Sequence, residues 1–494
     1  MKRIKQFISV HPIWFDIIIA LLFSFVYCLI NSTFLSPIYV GVPYGSVNQD
    51  SQFFYYLGTL LANGQTPYIQ FFDHKGLYHI SINALGYILG GRIPLFFIEI
   101  LFYFVATFFF IRTIRMLSKN SRATYLVSLC LLFALLALFK QSNGEGTWLL
   151  PFVSLSMFFF VKARLNNEHF YIISGLFIGL EIALALNSRP SDAIFGGVMA
   201  LAYIVFLIKE KLVKTLLLTA LTAFSSLCII MVAFYLPAYF GGYMKEMFNA
   251  TILHNLLYMS KTPPDFDLVI NKIIAALFLV YGLIMTIVIY KNKKTDSFSF
   301  VFSFMILGIS FLYVLIAHYL AYFQSISYFL AIYIVYSFTK LFKLEKTEKA
   351  FSIATPILMC GELVAFLALC YGSVNPLLSY KEYKILENNL SLISSDVRHT
   401  PGSIYVIDCK TSIYIQGEII TNNKYVSNQS WWSYADGKIK EEVKTYIVTN
   451  KPQYIFLGTG AEKEYFLSAM SNIYEVFENP NYIASNEYTL YVRK

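Results

Sequence analysis

The segment VNQDSQFFYYLGTLLANGQTPYIQFFDHKGLYH, residues 47–79, separates the first two long apolar runs of the chain. It begins with a single acid, Asp50, and ends with the charged group Asp73-His74-Lys75. The apolar residues after Asp50 recur at helical spacing, and Gly64 stands where it would end a helix. The spacing therefore predicts a helix that lies in the membrane interface. The segment GLYHISINALGYILGG at 76–91 is apolar but too short to span a bilayer, which predicts a second interfacial helix.

The rest of the chain is dominated by apolar runs. Of its 494 residues, 57% are hydrophobic and 14% are charged, whereas soluble chains carry about 25% charged residues. Apolar runs long enough to cross a bilayer recur about eleven times, which predicts a polytopic, mainly α-helical membrane bundle. The predicted spans are 13–34, 93–111, 123–139, 148–161, 170–186, 193–208, 215–236, 269–290, 297–317, 326–340 and 350–371.

The basic residues indicate the orientation of these spans. One alternate set of loops holds 19 Lys and Arg residues and the other set holds seven. By the positive-inside rule the richer set is cytoplasmic, so the N-terminus lies inside and the loop 35–92 lies outside. The first run follows MKRIK but lacks a convincing cleavage site, so we predict a retained helix. The net charge of +9 is explained by these loops and not by nucleic-acid binding.

Polar residues return after residue 374, which divides the chain into a transmembrane module, 1–374, and an extracytoplasmic α/β domain, 375–494. Four segments read as strands: SIYVID (403–408), SIYIQGEII (412–420), YIVTNKPQYIFLGT (446–459) and EYTLYVRK (487–494). The segment AEKEYFLSAM (461–470) reads as a helix. In the same domain, Trp431 and Trp432 are candidates for stacking on a sugar ring or for an ordinary core.

Cations on the predicted outer side are candidates for binding a lipid phosphate. They include Lys75, Arg92 and Arg189, the last within NSRP at 187–190. The guanidinium fork of arginine matches phosphate oxygens well. The alternative is that these side chains only extend toward the headgroups.

Carboxylates and histidines of the outer loop are the candidates for chemistry. Asp50 suits a general base, although an acid ahead of a helix is also a good N-cap. Asp73 is a second carboxylate, and its alternative role is pairing with Lys75. Asp73 with His74 and His79 could bind a divalent ion, as could DFD at 265–267, but neither spacing is a strong metal motif. Further acids and histidines lie in apolar or outer segments: Glu99, Glu181, His254 and His318.

This pattern resembles the GT-C superfamily of polytopic glycosyltransferases, in particular protein O-mannosyltransferases and aminoarabinose transferases of bacteria. The matching features are Asp50 in the first outer loop, the turn GQTPY at 64–68 and DHKG at 73–76. The family has a proline after that lysine, whereas Gly76 stands there in this chain. NSRP at 187–190 resembles the family's basic segment after the fifth span.

The resemblance implies a GT-C-like fold and an inverting transfer of a sugar from a polyprenyl-phosphate donor to an acceptor hydroxyl outside the membrane. Asp50 and Asp73 would be catalytic, and Lys75, Arg92, Arg189 and His74 would bind the lipid phosphate. The acceptor would be a glycan, lipid or protein of the bacterial cell envelope. We expect no cofactor, with a divalent metal as the alternative. The competing functions are transport or flipping of a lipid-linked sugar, and partner binding through the C-terminal domain.

Overall fold

A computed structural model of the protein describes most of the chain. The described residues are 12–30, 49–118, 122–139, 143–257, 266–292, 296–316, 320–341, 349, 353, 376–409, 411–426, 436–459 and 463–494. The predicted span 350–371 and the residues His318, Trp431 and Trp432 therefore lie outside the described residues, apart from residue 353 in the span. So do Asp265 and the side chain of Asp50.

The described part of the chain is mainly helical. Its α-helices are α1 (Pro12–Ile30), α2 (Gln49–Ala62), α3 (Leu77–Ile88), α4 (Arg92–Leu117), α5 (Arg122–Leu138), α6 (Leu150–Leu165), α7 (His169–Leu186), α8 (Ile194–Lys209), α9 (Val213–Phe240), α10 (Met244–Phe248), α11 (Phe266–Lys291), α12 (Ser297–Ile316), α13 (Ser327–Leu341), α14 (Pro376–Ser391), α15 (Ser395–His399), α16 (Ser412–Gly417), α17 (Lys438–Asn450) and α18 (Lys463–Met470). Short 3₁₀ helices cover Glu145–Leu149, Pro190–Ala193 and Leu320–Phe323, and a π-helix covers Asn249–His254.

Ten of the eleven predicted spans coincide with apolar helices. Within the described ranges, eight helical segments are long and apolar enough to cross a bilayer: Ile13–Ile30, Arg92–Leu117, Glu145–Leu165, His169–Leu186, Pro190–Lys209, Val213–Phe240, Val269–Lys291 and Ser297–Ile316. Two shorter ones, Thr124–Leu138 and Ser327–Leu341, match the remaining described spans. The chain is a multi-pass membrane protein, and the predicted helical fold class is confirmed.

The described residues fall into two compact units. Unit 1 consists of the described residues within Met1–Asn31, Phe96–Ala233 and Pro264–Cys370. Unit 2 consists of the described residues within Ser32–Leu95, Phe234–Pro263 and Tyr371–Lys494. Unit 1 is therefore the helical bundle. Unit 2 joins the first loop, the segment after α9 and the C-terminal residues.

Polar contacts near the two ends of α4 show how α1 and α4 are oriented in unit 1. At one end, Asp16 of α1 contacts Arg112 at 3.2 Å and Arg115 at 2.6 Å, both on the last turns of α4. At the start of α4, Glu99 accepts a hydrogen bond from the Asn143 backbone N–H at 3.1 Å. Glu99 and Arg115 are separated by about 24 Å along an ideal helix. The contacts therefore show α1 and α4 running in opposite directions, as alternating spans require.

Close packing of α7 on α9 depends on small residues. A Cβ added to Gly179 would collide with the Ala223 carbonyl oxygen and the Ser226 hydroxyl, and one added to Gly175 would lie 2.6 Å from the Thr219 carbonyl oxygen. The Ser226 hydroxyl donates to the Leu176 carbonyl at 3.1 Å. Glycines four residues apart let two helix backbones approach, as in membrane helix pairs generally.

Gly196 and Gly197 of α8 provide a matched pair of substitutions. A Cβ on Gly196 would collide with Oε2 of the fully buried Glu181, whereas no atom lies within 4 Å of a Cβ on Gly197. We predict that Gly196→Ala lowers the thermal unfolding midpoint in detergent by several degrees. Gly197→Ala should leave it unchanged or raise it, because alanine stabilises a helix interior by roughly 0.5–1 kcal/mol. Equal midpoints for the two variants would contradict the contact with Glu181.

The two helices predicted for the first loop are both present in unit 2. A Cβ on Gly58 of α2 would lie 2.5 Å from the Asn83 Cβ of α3, so glycine permits their close contact. The helical face of α2 that the spacing predicted is buried, but so are Ser51 and Gln52 outside it, at 1% and 8% exposure. α2 is therefore a core helix of unit 2, with burial around most of its circumference.

The C-terminal residues contain a four-stranded sheet. Its strands are β1 (Ile404–Ile407), β2 (Tyr454–Gly458), β3 (Tyr474–Val476) and β4 (Tyr488–Arg493), in the order β1-β2-β4-β3. β1 and β2 are parallel, and β4 is antiparallel to both β2 and β3. The first and last predicted strands and the helix at 461–470 are present. SIYIQGEII forms the helix α16 instead of a strand, and the first half of YIVTNKPQYIFLGT ends the helix α17.

Candidate functional site

The end of α2 fixes the start of the loop that carries the charged group. The N–H of Gln65 donates to the Leu60 carbonyl, and the N–H of Gly64 donates to the Leu61 carbonyl. Gly64 has φ +82°, the left-handed region that glycine enters without steric cost. This is the Schellman arrangement of a helix end, and it confirms the role predicted for Gly64.

Tyr68 holds the remainder of this loop. It has φ +62° although it carries a side chain, and its N–H donates to the Phe71 carbonyl at 2.7 Å. The Tyr68 hydroxyl donates to the Lys75 carbonyl at 2.8 Å. Burial, with a smaller effect from the Asp73 carboxylate, raises the pKa of Tyr68 well above its ordinary value, so the hydroxyl remains a donor. The Lys75 backbone is thereby tied to Tyr68, whose own positive φ is costly unless its surroundings enforce it.

Asp73 and His74 bring a carboxylate and an imidazole together, and the ammonium of the next residue, Lys75, lies against an aromatic ring. Asp73 is 1% exposed and His74 is 8% exposed. The Asp73 Oδ1 atom accepts the His74 backbone N–H at 2.8 Å and lies 3.1 Å from His74 Nδ1. The Lys75 Nζ atom lies 4.7 Å from the centre of the Phe54 ring. Two members of the charged group that the sequence singled out, Asp73 and His74, are therefore buried in unit 2.

His254 joins this group from a distant part of the chain. It ends the π-helix Asn249–His254, a form that often marks functional sites. Its ring centre lies 5.9 Å from that of His74 and 5.3 Å from that of Phe72. The next residue, Asn255, donates from Nδ2 to the His74 carbonyl at 2.7 Å. Asp73, His74, Lys75 and His254 are called the first-loop cluster below.

The imidazole of His254 is neutral at neutral pH. Burial lowers its pKa and the neighbouring His74 lowers it further, to about 4, against the opposing charges of Asp436 and Asp73. His254 is 6% exposed, and among the described residues its Nε2 atom has no hydrogen-bond partner. A neutral imidazole nitrogen can accept a hydrogen bond.

The described residues do not present a ready metal site. Among them, no group of three His, Cys, Asp or Glu side chains is arranged to hold a metal ion. His79, which the sequence grouped with Asp73 and His74, is fully buried with its ring centre 4.1 Å from that of Phe54.

The C-terminal residues contact the same loop within unit 2. The N–H of Phe72 donates to the Lys424 carbonyl at 2.7 Å. The Tyr56 hydroxyl of α2 donates to the Ile419 carbonyl at 2.8 Å, and its ring stacks on Tyr414 at 4.8 Å. The first loop and the region 414–425 therefore share one hydrophobic core.

Asp50 and Arg92 lie at the ends of the same loop. Asp50 falls in the first turn of α2, one residue inside its start. Arg92 begins α4, and its charge opposes the rise in the pKa of Tyr55 that burial causes. Gly91 is also next to Tyr55, since its added Cβ would lie 3.4 Å from that hydroxyl.

A second group of charges lies in unit 1. Arg189 donates from Nε and Nη2 to the two carboxylate oxygens of Asp192, at 3.0 and 2.9 Å. Its Nη1 atom lies 3.6 Å from Glu145 Oε2, and its guanidinium carbon lies 4.4 Å from the centre of the Tyr322 ring. Glu145, Arg189, Asp192 and Tyr322 are called the Arg189 cluster below.

The Arg189 cluster is a buried set of ion pairs. Glu145, Asp192 and Arg189 are 1%, 0% and 8% exposed. Burial alone would lower the pKa of Arg189, but Asp192 and Glu145 outweigh it and raise that pKa above its ordinary value. Arg189 therefore stays charged, and it contacts two carboxylates in this structure.

Glu99 and Tyr103 add a polar layer to unit 1. Glu99 is fully buried and binds the Asn143 backbone, whose φ is +49°. Gln324 donates from Nε2 to the Tyr103 hydroxyl at 2.9 Å and to the Thr147 hydroxyl at 3.1 Å. Glu99 and Glu181, the two described acids named from the apolar runs, are both fully buried, as is usual for acids within membrane segments.

Comparison with protein families decides the relationship of the chain. The model of the competence-induced protein Ccs4 N-terminal domain matches residues 18–335. The chain belongs to this family. A search of curated proteins finds no match.

Among solved structures, the Ccs4-family chain is similar to the crystal structure of the Archaeoglobus fulgidus oligosaccharyltransferase tethered with an acceptor peptide. The identity is 13%, the alignment covers 99% of this chain and 75% of that one, and the TM-score is 0.47.

The family match covers both clusters. Residues 18–335 include the whole first-loop cluster and the whole Arg189 cluster. They exclude β1 to β4 and α14 to α18, which come after residue 335. The residues that match the Ccs4 N-terminal domain thus include Asp50 and Arg92 as well as both clusters, whereas the candidates Trp431 and Trp432 come after them.

Sequence reasoning missed the partners of the predicted residues. Asp192 follows Arg189 by three residues, a spacing that could have suggested the pair. Glu145 lies in NGEG without any such signal. Asn255 and His74 are 181 positions apart, so their contact has no local signature.

Proposed function

We propose that this Ccs4-family protein is a GT-C type glycosyltransferase that moves a sugar from a polyprenyl-phosphate donor to an acceptor hydroxyl. The observation that carries the proposal is the first-loop cluster, in which the buried Asp73 carboxylate lies 3.1 Å from a His74 imidazole nitrogen and the next residue, Lys75, supplies a cation. Three of these groups belong to DHKG, which together with Asp50 and GQTPY resembles the GT-C superfamily. The many apolar helices match a lipid-borne substrate.

The chemistry requires a base for the hydroxyl and a cation for the phosphate. The acceptor oxygen bonds to the anomeric carbon as the bond from that carbon to the phosphate oxygen breaks. Attack opposite the leaving group inverts the carbon. Asp50 and Asp73 are the proposed catalytic carboxylates, one to take the hydroxyl proton and one to fix the site. Lys75, His74 and Arg92 are proposed to stabilise the charge of the leaving polyprenyl phosphate.

Arg189 is the remaining proposed ligand of the lipid phosphate. A phosphate would compete with the carboxylates that Arg189 now contacts, at 2.9 Å and 3.6 Å. The proposal for Arg189 therefore predicts that the donor displaces Glu145, the longer of the two contacts. A positioning role within unit 1 is the alternative and is tested by the Arg189→Ala variant considered in the Discussion.

The proposed location follows from the basic loops. The N-terminus would be cytoplasmic, and the first loop and the C-terminal domain would lie outside the cell membrane. The partners would be a polyprenyl-phosphate sugar, membrane lipids and a glycan, lipid or protein acceptor of the bacterial envelope.

Asp50→Asn tests the proposed base directly. In membranes supplied with a labelled lipid-linked sugar, we expect this variant to lose sugar transfer, roughly 100-fold or more, because the amide cannot accept the proton. Expression and thermal stability should match the wild type, because asparagine has nearly the same size and shape as aspartate. Transfer at the wild-type rate would remove Asp50 from the mechanism.

Chelation tests the expectation that no metal takes part. We predict that transfer persists in excess EDTA, because a phosphate leaving group needs only the protein cations proposed above. Loss of transfer with EDTA and recovery with added Mg²⁺ or Mn²⁺ would instead assign Asp73 and His74 to a metal site.

A further inference from the structure

His254 lies where it could recognise a substrate. Its ring is held by Phe72 on one side and His74 on another, and the neighbouring Asn255 binds the His74 backbone. A buried nitrogen that accepts no hydrogen bond costs free energy, and such atoms in a native protein need an explanation. Among the described residues, His254 Nε2 is such an atom.

We propose that His254 Nε2 accepts a hydrogen bond from a hydroxyl of a substrate sugar, which makes the surroundings of His254 a sugar-recognition subsite. This inference rests on the proposed glycosyltransferase function and adds a specificity residue to it. A sugar hydroxyl is the donor that this acceptor lacks.

The neighbouring side chains suit a sugar ring. Phe72 and Tyr425 have ring centres 5.4 Å apart, and Lys424 Nζ lies 6.0 Å from the Phe72 ring. Aromatic rings offer apolar faces to a sugar, and polar groups at their edge fix its hydroxyls. Tyr425 is itself fixed by a hydrogen bond from its hydroxyl to Glu442 at 3.0 Å.

The charges that act on His254 are those of Asp73 and His74 from the first loop and of Asp436 from the C-terminal residues. Lys75 follows His74 in the chain, and Lys424 lies near the Phe72 ring that His254 contacts. Because the pKa of His254 is lowered to about 4, the ring remains a hydrogen-bond acceptor through the neutral range. Protonation would turn Nε2 into a donor. The hydrogen bond to the sugar hydroxyl would then have to reverse its direction.

The experiment compares His254→Leu with His254→Gln in the full-length protein. Leucine removes the acceptor, whereas the glutamine amide oxygen keeps one near the position of Nε2. Binding of a polyprenyl-phosphate sugar and of the bare polyprenyl phosphate is measured by thermal stabilisation, and KM is measured for donor and acceptor. His169→Leu, at an exposed histidine at the start of α7, is the matched control.

We expect His254→Leu to weaken sugar binding by about 10-fold or more, the loss of one buried hydrogen bond. His254→Gln should recover most of it, and kcat should change less than KM. Binding of the bare polyprenyl phosphate should be unaffected. The substrate whose KM rises, donor or acceptor, identifies the sugar that His254 contacts.

Equal sugar affinity in wild type and His254→Leu would overturn the inference and would mean that an ordered water satisfies Nε2. Failure of the proposed function appears differently. A wild-type protein that binds the lipid-linked sugar without transferring it refutes the glycosyltransferase, while the affinity ratio still decides the role of His254. A wild-type protein that does not bind the sugar at all refutes both.

Discussion

Replacing Asp73 by asparagine should reduce sugar transfer by about 100-fold to 10,000-fold, the range for losing a general acid–base group. Asparagine keeps an oxygen that can accept the His74 backbone N–H, now bound at 2.8 Å by Asp73. It removes the negative charge next to His74 Nδ1 and within reach of His254. The rate of transfer from a labelled donor, at saturating donor and acceptor, is the measurement.

Asp396→Asn is the control for this variant, because Asp396 is an exposed acid in the first turn of α15 within the same unit. It should transfer sugar at the wild-type rate. An Asp73→Asn protein that is folded and fully active would show that Asp73 serves only to shape the loop. Loss of both folding and activity would also indicate a structural role for Asp73. Asp73→Glu, which keeps the negative charge but changes the length of the side chain, would then show whether the charge or the shape is needed.

Arg189→Ala should lower the free energy of unfolding by about 3–5 kcal/mol, the usual cost of removing one partner from a buried ion pair. The variant leaves Asp192 and Glu145 inside unit 1 without the cation that now contacts them. It also removes the guanidinium from the Tyr322 ring. Thermal or denaturant unfolding in detergent measures the loss.

Arg189→Lys and Asp192→Asn refine this result. Lysine keeps the charge but cannot form the two parallel hydrogen bonds to Asp192, so it should fall between wild type and alanine. Asp192→Asn removes one acid and leaves Glu145 to balance Arg189. If Arg189→Ala is as stable as the wild type but binds the lipid donor weakly, Arg189 is a phosphate ligand and not a structural cation.

The sequence predicted the parts of the fold that depend on local pattern. Long apolar runs placed ten of the spans, because a bilayer requires about 20 apolar residues in a row. Gly64 marked the end of α2, because few residues other than glycine accept its φ of +82°. Asp73, His74 and Lys75 were recognised because they are consecutive.

Features that depend on distant packing were not predictable in the same way. SIYIQGEII alternates like a strand, but residues 412–417 form the helix α16, whose Tyr414 stacks on Tyr56 of α2. Tertiary contacts of this kind override weak strand preferences. The position of His254 depends on the π-helix Asn249–His254, and no pattern in its sequence, NATILH, predicts a π-helix. The carboxylate partners of Arg189 are fixed by helix packing within unit 1.

Spacing alone also could not show that the first loop and the C-terminal residues form one unit. Gln65 donates to the Thr421 carbonyl at 2.9 Å, and Phe72 donates to the Lys424 carbonyl at 2.7 Å. These bonds join segments more than 350 positions apart in the chain. Substitutions in the region 419–425 should therefore influence the first-loop cluster.

The central claim is that this protein transfers a sugar from a polyprenyl phosphate. Its most direct test is to incubate purified protein with labelled polyprenyl-phosphate sugars and acceptor, and to measure release of free polyprenyl phosphate. We predict release that requires the acceptor and that is lost in Asp50→Asn and Asp73→Asn. Intact lipid-linked sugar after incubation, or its movement across a vesicle membrane without cleavage, would contradict the claim.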